Sequence, residues 1–206
     1  YLFMRFTHDD IIHAIYESAT RPETWADTLE KIRIHFNAAA YNLWQFDAGA
    51  TENPFFLSSN LPSDFESNYR ENWSDKDVWL KGAAAKNLAF PGSTMVGDML
   101  LPAGELDRSE YFNDFLKGME VRDIACACLW DDQPQTVPFV LSLLGGIKSQ
   151  NFDSDSRNRL DDISRHLIRG LKISANMQFL AHERFIESIA LQYLDKSVFV
   201  LDQELR

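Results

Sequence analysis

Apolar residues recur at three- and four-residue steps along much of this chain, and the longest such run lies near its end. From Asp155 to about Leu191 there is no proline and a single glycine, Gly170, while Leu160, Ile163, Leu167, Leu171 and Ala175 mark one stripe. That spacing predicts one helix of roughly 37 residues, about 55 Å long at ~1.5 Å per residue. A compact body built from the residues before it would be only about 40 Å across. The helix is therefore expected to project, to pair with a second copy, or to carry a signal beyond the body. A short β-type run follows (Val198, Phe199, Val200, Leu201), closed by Asp202. A lone strand cannot bury its faces, so this run either pairs back onto the body or opens a further domain; the second is expected.

Shorter periodic segments precede the long helix. Asp9 or Asp10 is placed to cap a helix through Ile11, Ile12, Ala14 and Ile15 to about Ala19, and Pro22 suits a first helical position. Trp25, Leu29, Ile32 and Phe36 give a clear amphipathic helix. Strands are predicted at 40–46 and 55–59. Ser63 with Glu66 reads as a capping box that opens a helix with Phe65, Tyr69 and Trp73 on one stripe, and Ser74 with Asp77 repeats the signal. Ala89–Pro91 reads as an edge piece, and residues 92–106 as loop. Ser109 caps a helix that turns Tyr111, Phe112, Phe115 and Leu116 inward and ends at Gly118. Residues 122–130 and 136–144 form an antiparallel hairpin across the turn-rich 131–135, and Gly145-Gly146 breaks the second strand. Few, adjacent, hairpin-joined strands between helices predict an α+β fold: a GAF/PAS-like antiparallel sheet packed with helices on both sides, followed by a long C-terminal helix. The expected division is a body at 1–154, the long helix at 155–194, and the truncated start of a second, PAS-like domain at 195–206.

Charge narrows the function. The 206 residues carry a formal net charge of −11, and from Asp155 onward eight basic residues balance eight acidic ones. The whole deficit therefore sits in residues 1–154, which makes that body a poor surface for phosphate backbones. Cys126 and Cys128 lie two apart in a predicted strand and share a face. Their Cα atoms would be about 6.5–7 Å apart with parallel side chains, which is poor disulfide geometry. They read as small buried thiols. No signal peptide, polybasic anchor or apolar run of membrane-spanning length is present, so a cytoplasmic location without membrane contact is expected. There is no GxSxG, Walker A loop, GxGxxG or HExxH. Neither enzymatic activity nor a metal or cofactor is expected.

One resemblance organises these pieces. The stretches FESNYRENWSDKDVW, AFPGSTMVGDML, SEYFNDFLKGMEVRDIACACLW and VPFVLSLLGG, between Phe65 and Gly146, resemble the N-terminal sensor domains of LuxR-type transcription regulators. The marks are a Tyr–aromatic–Asp cluster before a helix, and a helix ending in Gly-Met-Glu-Val that leads into the hairpin. The resemblance implies an autoinducer-binding-like domain with a helix-turn-helix DNA-binding domain further along the chain, and SVFVLD looks like the first strand of an intervening PAS-like segment. In quorum-sensing members a Tyr, a Trp and an Asp hold the polar head of an acyl-homoserine lactone. Tyr69 matches that Tyr and Asp77 that Asp. Phe65 stands at the Trp position and cannot donate a hydrogen bond, and Val78 stands where a Pro usually follows. The resemblance with these departures implies a different small, largely apolar ligand, held by Phe65, Tyr69, Trp73, Asp77 and Trp79, with Trp44, Cys126 and Trp130 in the adjoining sheet–helix layer. The plainer reading, that these residues simply fill the core, stays open. A homodimer is the expected state, with Leu160, Ile163, Leu167 and Leu171 as the interface, and a ligand-free dimerisation module is the alternative function.

Overall fold

The first helix starts on Thr7. Its hydroxyl accepts from the Asp10 N–H at 3.2 Å, and the Asp10 carboxylate accepts from the Thr7 N–H at 2.8 Å. This reciprocal box caps α1 (His8–Thr20), so Asp10 is its third residue rather than its cap. The computed structural model describes residues 6–45, 56–131 and 138–193, with side chains up to Met177. A 3₁₀ turn at Pro22–Thr24 leads into α2 (Trp25–His35), and the strands β1 (Ala40–Gln45) and β2 (Phe56–Ser59) follow. Helix α3 (Phe65–Asn68) widens into a π-helical turn at Tyr69–Trp73, and α4 spans Val78–Ala85. Next come β3 (Thr94–Val96), α5 (Gly97–Leu100), α6 (Glu105–Arg108) and a second π-helical turn, Tyr111–Leu116. Strands β4 (Val121–Leu129) and β5 (Phe139–Gly146) precede α7 (Ser154–Tyr193), one helix of 40 residues and about 60 Å.

The five strands form one antiparallel sheet in the order β2-β1-β5-β4-β3. Alternation along each strand sends residues to opposite faces, and both faces are covered. On one side Tyr41, Leu43, Ala125, Ala127, Leu141 and Leu143 meet α1, α2 and α7 through Ile11, Ile15, Leu29, Ile32, Leu160 and Ile163. On the other, Ala40, Met95, Ile124, Cys126, Cys128 and Leu144 meet the segment from α3 to the second π turn. The α+β arrangement, with helices on both sides of the sheet and a long C-terminal helix, is the one the hydrophobic pattern predicts.

Local start and stop signals differ from expectation in several places. Ser63 caps nothing: it lies in a turn closed by the Phe65 N–H on the Pro62 carbonyl, and Asp64 precedes α3 without a side-chain cap. Ser74 lies in a 3₁₀ turn, and Asp77 itself is the cap of α4. The edge strand is Thr94–Val96 rather than Ala89–Pro91, because pairing with β4 begins only past the turn at Gly92 (φ +71°), where Cys128 N–H donates to the Ser93 carbonyl. Glu120, at φ +56°, ends the second π turn and its 3₁₀ extension, while Gly118 lies inside that extension. Gly145 and Gly146 pair inside β5 with Asp123 and Val121. A Cβ on Gly145 would stand 2.9 Å from Asp123 Cβ and 3.3 Å from the Phe152 ring, so the glycine serves close approach rather than a break. The strand expected at 198–201 and residues 132–135 of the expected turn lie outside the described residues.

The stripe assigned to a dimer interface is also relocated. Leu160, Ile163 and Leu167 are at most 1% exposed against the sheet and α1 of their own chain, and Leu171 packs beside them. A fully buried side chain has no surface to offer a second copy, so this stripe is core. The helix crosses α1 at Gly170, where a Cβ would lie 2.8 Å from Ile15 Cγ2. Truncation of a buried isoleucine typically costs about 2–5 kcal/mol. Ile163→Ala is therefore expected to lower stability by that amount in urea denaturation, with a midpoint shift independent of protein concentration. A shift that shrinks as the chain is concentrated would return Ile163 to a subunit interface.

Candidate functional site

The residues singled out in the sequence gather on the sheet face opposite α7. Register places them in rows. Phe56, Trp44, Val140 and Cys128 form one row, and Ser58, Asn42, Ser142, Cys126 and Met95 form the next. Above this floor lies an aromatic layer supplied by the two π-helical turns. The Trp73 ring stacks on Phe115 at 5.2 Å between centroids, Phe65 on Phe115 at 5.6 Å and on Tyr69 at 6.0 Å, and Tyr111 leans on Phe115 at 5.5 Å. Trp79 meets the Tyr111 ring edge-on at 5.9 Å. A π-helical turn adds a residue to each loop of backbone and re-aims its side chains, and such turns recur at functional sites. Here each of the two carries an aromatic pair four residues apart, Tyr69 with Trp73 and Tyr111 with Phe115.

Asp77 ties this layer to α4. One carboxylate oxygen accepts from the Trp79 and Leu80 N–H groups at 2.8 and 3.0 Å, capping the helix. The other accepts from the Tyr69 hydroxyl at 2.9 Å, with the buried Tyr111 alongside. Burial raises the Asp77 carboxyl above its ordinary range despite these three donors. Burial and the neighbouring carboxylate hold both tyrosines far above the usual phenol value, so they remain hydroxyls. Cys126, beneath this group, is pushed up to about 12 by burial. A thiol held that far from ionisation is a packing and weak hydrogen-bonding group, not a nucleophile.

Phe65, Tyr69, Trp73, Asp77, Trp79 and Cys126 thus come together in one layer. Trp44 and Trp130 share its sheet face, both half-buried, toward the end where β1 and β4 leave the sheet. The sequence reading placed Tyr111 and Phe115 in the core without assigning them to the site, and it passed over Asn42 and Ser142. The matching i, i+4 aromatic pairs were a usable signal; the polar residues became visible only through strand register. A cavity of about 100 Å³ lies at the rim, between the α5–α6 segment and the start of β4, lined by Trp79, Asp98, Leu101, Asp107, Arg122 and Asp123 among others. It is polar and smaller than the ~300 Å³ of an ordinary small-molecule site. Packing chemistry rather than open volume therefore places the candidate site in the aromatic layer. Among the described residues no three His, Cys, Asp or Glu side chains converge as metal ligands, and no helix is long and apolar enough to cross a membrane.

The Asp77 group makes an experimental prediction. A carboxyl whose folded pKa lies above its unfolded value of 3.8 holds its proton more readily when folded, so its contribution to stability falls as pH rises between the two values. Asp77→Asn keeps an oxygen for the α4 cap and removes the titration. Wild type should gain stability relative to Asp77→Asn as the pH falls from 7 towards 4, in paired denaturant titrations; a gap that moves the other way would mean that the donors to the carboxylate outweigh burial. Asp77→Ala strips the partner from the Tyr69 hydroxyl and from two amides and should cost about 3 kcal/mol at neutral pH.

No protein-family model matches the sequence, and no curated protein matches it. Solved structures do. The N-acylhomoserine lactone-dependent LuxR-family transcription factor CepR2 of Burkholderia cenocepacia is 16% identical, with a TM-score of 0.54 over 84% of this chain and 98% of that one. The free methionine-R-sulfoxide reductase of Neisseria meningitidis, solved with its substrate, is 14% identical, with a TM-score of 0.53 over 82% and 89%. A phycoerythrobilin-bound GAF domain from a cyanobacterial phytochrome is 10% identical, with a TM-score of 0.50 over 82% and 96%. Identities this low speak for the fold, which serves a regulator, an enzyme and a photoreceptor alike. The chain has the GAF-like fold shared by LuxR-type autoinducer-binding domains.

Proposed function

We propose that this chain is the small-molecule-sensing domain of a LuxR-type transcription regulator. The observation that carries the reading is the Tyr69–Asp77 hydrogen bond inside the aromatic layer. The two positions that the sequence resemblance assigns to a ligand's polar head meet there, on a fold shared with such sensors. The ligand is small and largely apolar, and Phe65, Tyr69, Trp73, Trp79 and Phe115 supply its surroundings. Phe65 offers no N–H, so a lactone is not the favoured head group. The domain works in the cytoplasm without catalysis, cofactor or membrane contact, and its acidic body leaves DNA contact to a domain beyond α7.

Coupling runs through the sheet, because the aromatic layer and α7 lie on opposite faces. Asp123 at the start of β4 accepts from the Phe152 N–H, two residues before α7. Arg157 of α7 donates to the Thr94 carbonyl of β3 at 3.0 Å, and Lys172 pairs with Asp131 just past β4. A ligand that shifts β3 and β4 therefore moves the anchors of the helix. Homodimerisation through α7 falls to its outward side, where Ile173 and Met177 are 39% and 46% exposed.

The close ring packing favours a second reading, in which the layer is permanently filled and the chain is a ligand-free dimerisation module. A thermal-shift screen of small apolar metabolites separates the two. A ligand at a hundred times its dissociation constant stabilises by about 2.7 kcal/mol, which amounts to roughly 5–10 °C for a chain of this size. At least one such ligand is expected, with the shift lost in Tyr69→Ala. A complete screen without a shift sinks the sensing reading and leaves the filled module.

A further inference from the structure

Two polar sets face one another across the aromatic layer, and they differ in one respect. Asp77 has both oxygens engaged: Oδ1 accepts from the Trp79 and Leu80 N–H groups and Oδ2 from the Tyr69 hydroxyl. Asn42, on β1, is only 8% exposed, yet its side-chain oxygen has no hydrogen-bond partner among the described residues. Its cross-strand neighbours are Ser58 and Ser142, and the Ser142 hydroxyl accepts the weak bond from Cys126 Sγ at 3.8 Å. Cys126 in turn packs in one cluster with Phe65, Tyr69, Trp73 and Tyr111, which places this row under the aromatic layer. Leaving a buried acceptor unpaired is costly for a free protein.

We propose that Asn42 is the specificity-determining residue of this site: its Oδ1 accepts a hydrogen bond from a hydroxyl or amide N–H of the bound ligand. The ligand class is then an uncharged amphiphile with an apolar body and an internal hydrogen-bond donor. The inference rests on the sensing reading above and moves the reading of that donor from Asp77, whose oxygens are committed, to the sheet floor. A ligand without a donor enters the same apolar surroundings but leaves Asn42 unpaired.

The probes are N-hexyloctanamide and hexyl octanoate, alike in shape and differing in one N–H, titrated against the purified chain by tryptophan fluorescence. Wild type is expected to bind the amide about tenfold or more tightly over the ester, the ratio that one unpaired buried polar group produces. Asn42→Leu should bring the two affinities together and raise the melting temperature of the free chain. Asn42→Ala, which cannot clash with the neighbouring rows, should also bring them together. An amide preference that survives both substitutions, or equal binding of the two probes by wild type, overturns the role of Asn42 and leaves the sensing reading standing. A lower melting temperature in Asn42→Leu also overturns it, by showing that Asn42 already has a structural partner. If wild type binds neither probe nor any member of the metabolite screen, both proposals fall together.

Discussion

Burial of β4 on both faces is the constraint from which the rest of the architecture follows. From Asp123 to Leu129 every residue is buried, with Ala125, Ala127 and Leu129 in the helical layer that contains α7 and Ile124, Cys126 and Cys128 under the aromatic layer. An antiparallel strand facing water on one side would alternate polar with apolar residues; this one cannot. Small residues at 125–128 let both layers approach closely, and the glycines opposite Asp123 and Val121 do the same at the strand's start. One strand therefore belongs to two cores, and a change in the packing of either is felt by the other.

The aromatic side handles buried polarity in two contrasting ways. Asp77 is a buried acid made tolerable by three donors, two from the helix it caps and one from the Tyr69 hydroxyl in the ring layer. Removing any one partner exposes the cost of the others. Asn42 is equally buried and has no such arrangement. Stability alone explains the first residue and not the second. A group that weakens the free protein at the floor of an aromatic layer is what a binding site is expected to contain.

Those same two residues show what the sequence could disclose. Asp77 was legible because an N-cap and a family-like position are both local features, readable from a few neighbours. Asn42 was not, since its meaning depends on strand pairing with residues 58 and 142, which no spacing rule reveals. The long helix was legible from its stripe, but the stripe says only that one side is covered, not by what. Leu160, Ile163 and Leu167 would look the same whether they faced the chain's own sheet or a second copy. Start signals differ where the cap lies upstream of the expected acid, as Thr7 does before Asp9 and Asp10, or where a turn takes up the expected cap, as at Ser63. Gly145-Gly146 carried a turn signal that sheet packing overrode, because Phe152 and Asp123 need the space a side chain would fill.

The geometry of α7 bears on how a signal could leave the body. Its contacts with the body include Ser174, which is buried and accepts from the Trp25 ring N–H at 3.4 Å, whereas Met177 is already exposed. From Ser174 to Tyr193 the helix runs on for about 28 Å at ~1.5 Å per residue. The rest of the helix is bound to β3, β4 and α1 by Arg157, Lys172 and the close crossing at Gly170. A helix anchored at Arg157, Gly170 and Lys172 moves with the strands and helix that hold those points. On the proposed reading, a ligand gains control of α7 only if it binds one arrangement of β3 and β4 more tightly than another. The Asp77 group, with both oxygens engaged, resists rearrangement and the unpaired Asn42 oxygen invites it. The energetic difference between the two arrangements should therefore lie on the sheet floor rather than in the aromatic roof.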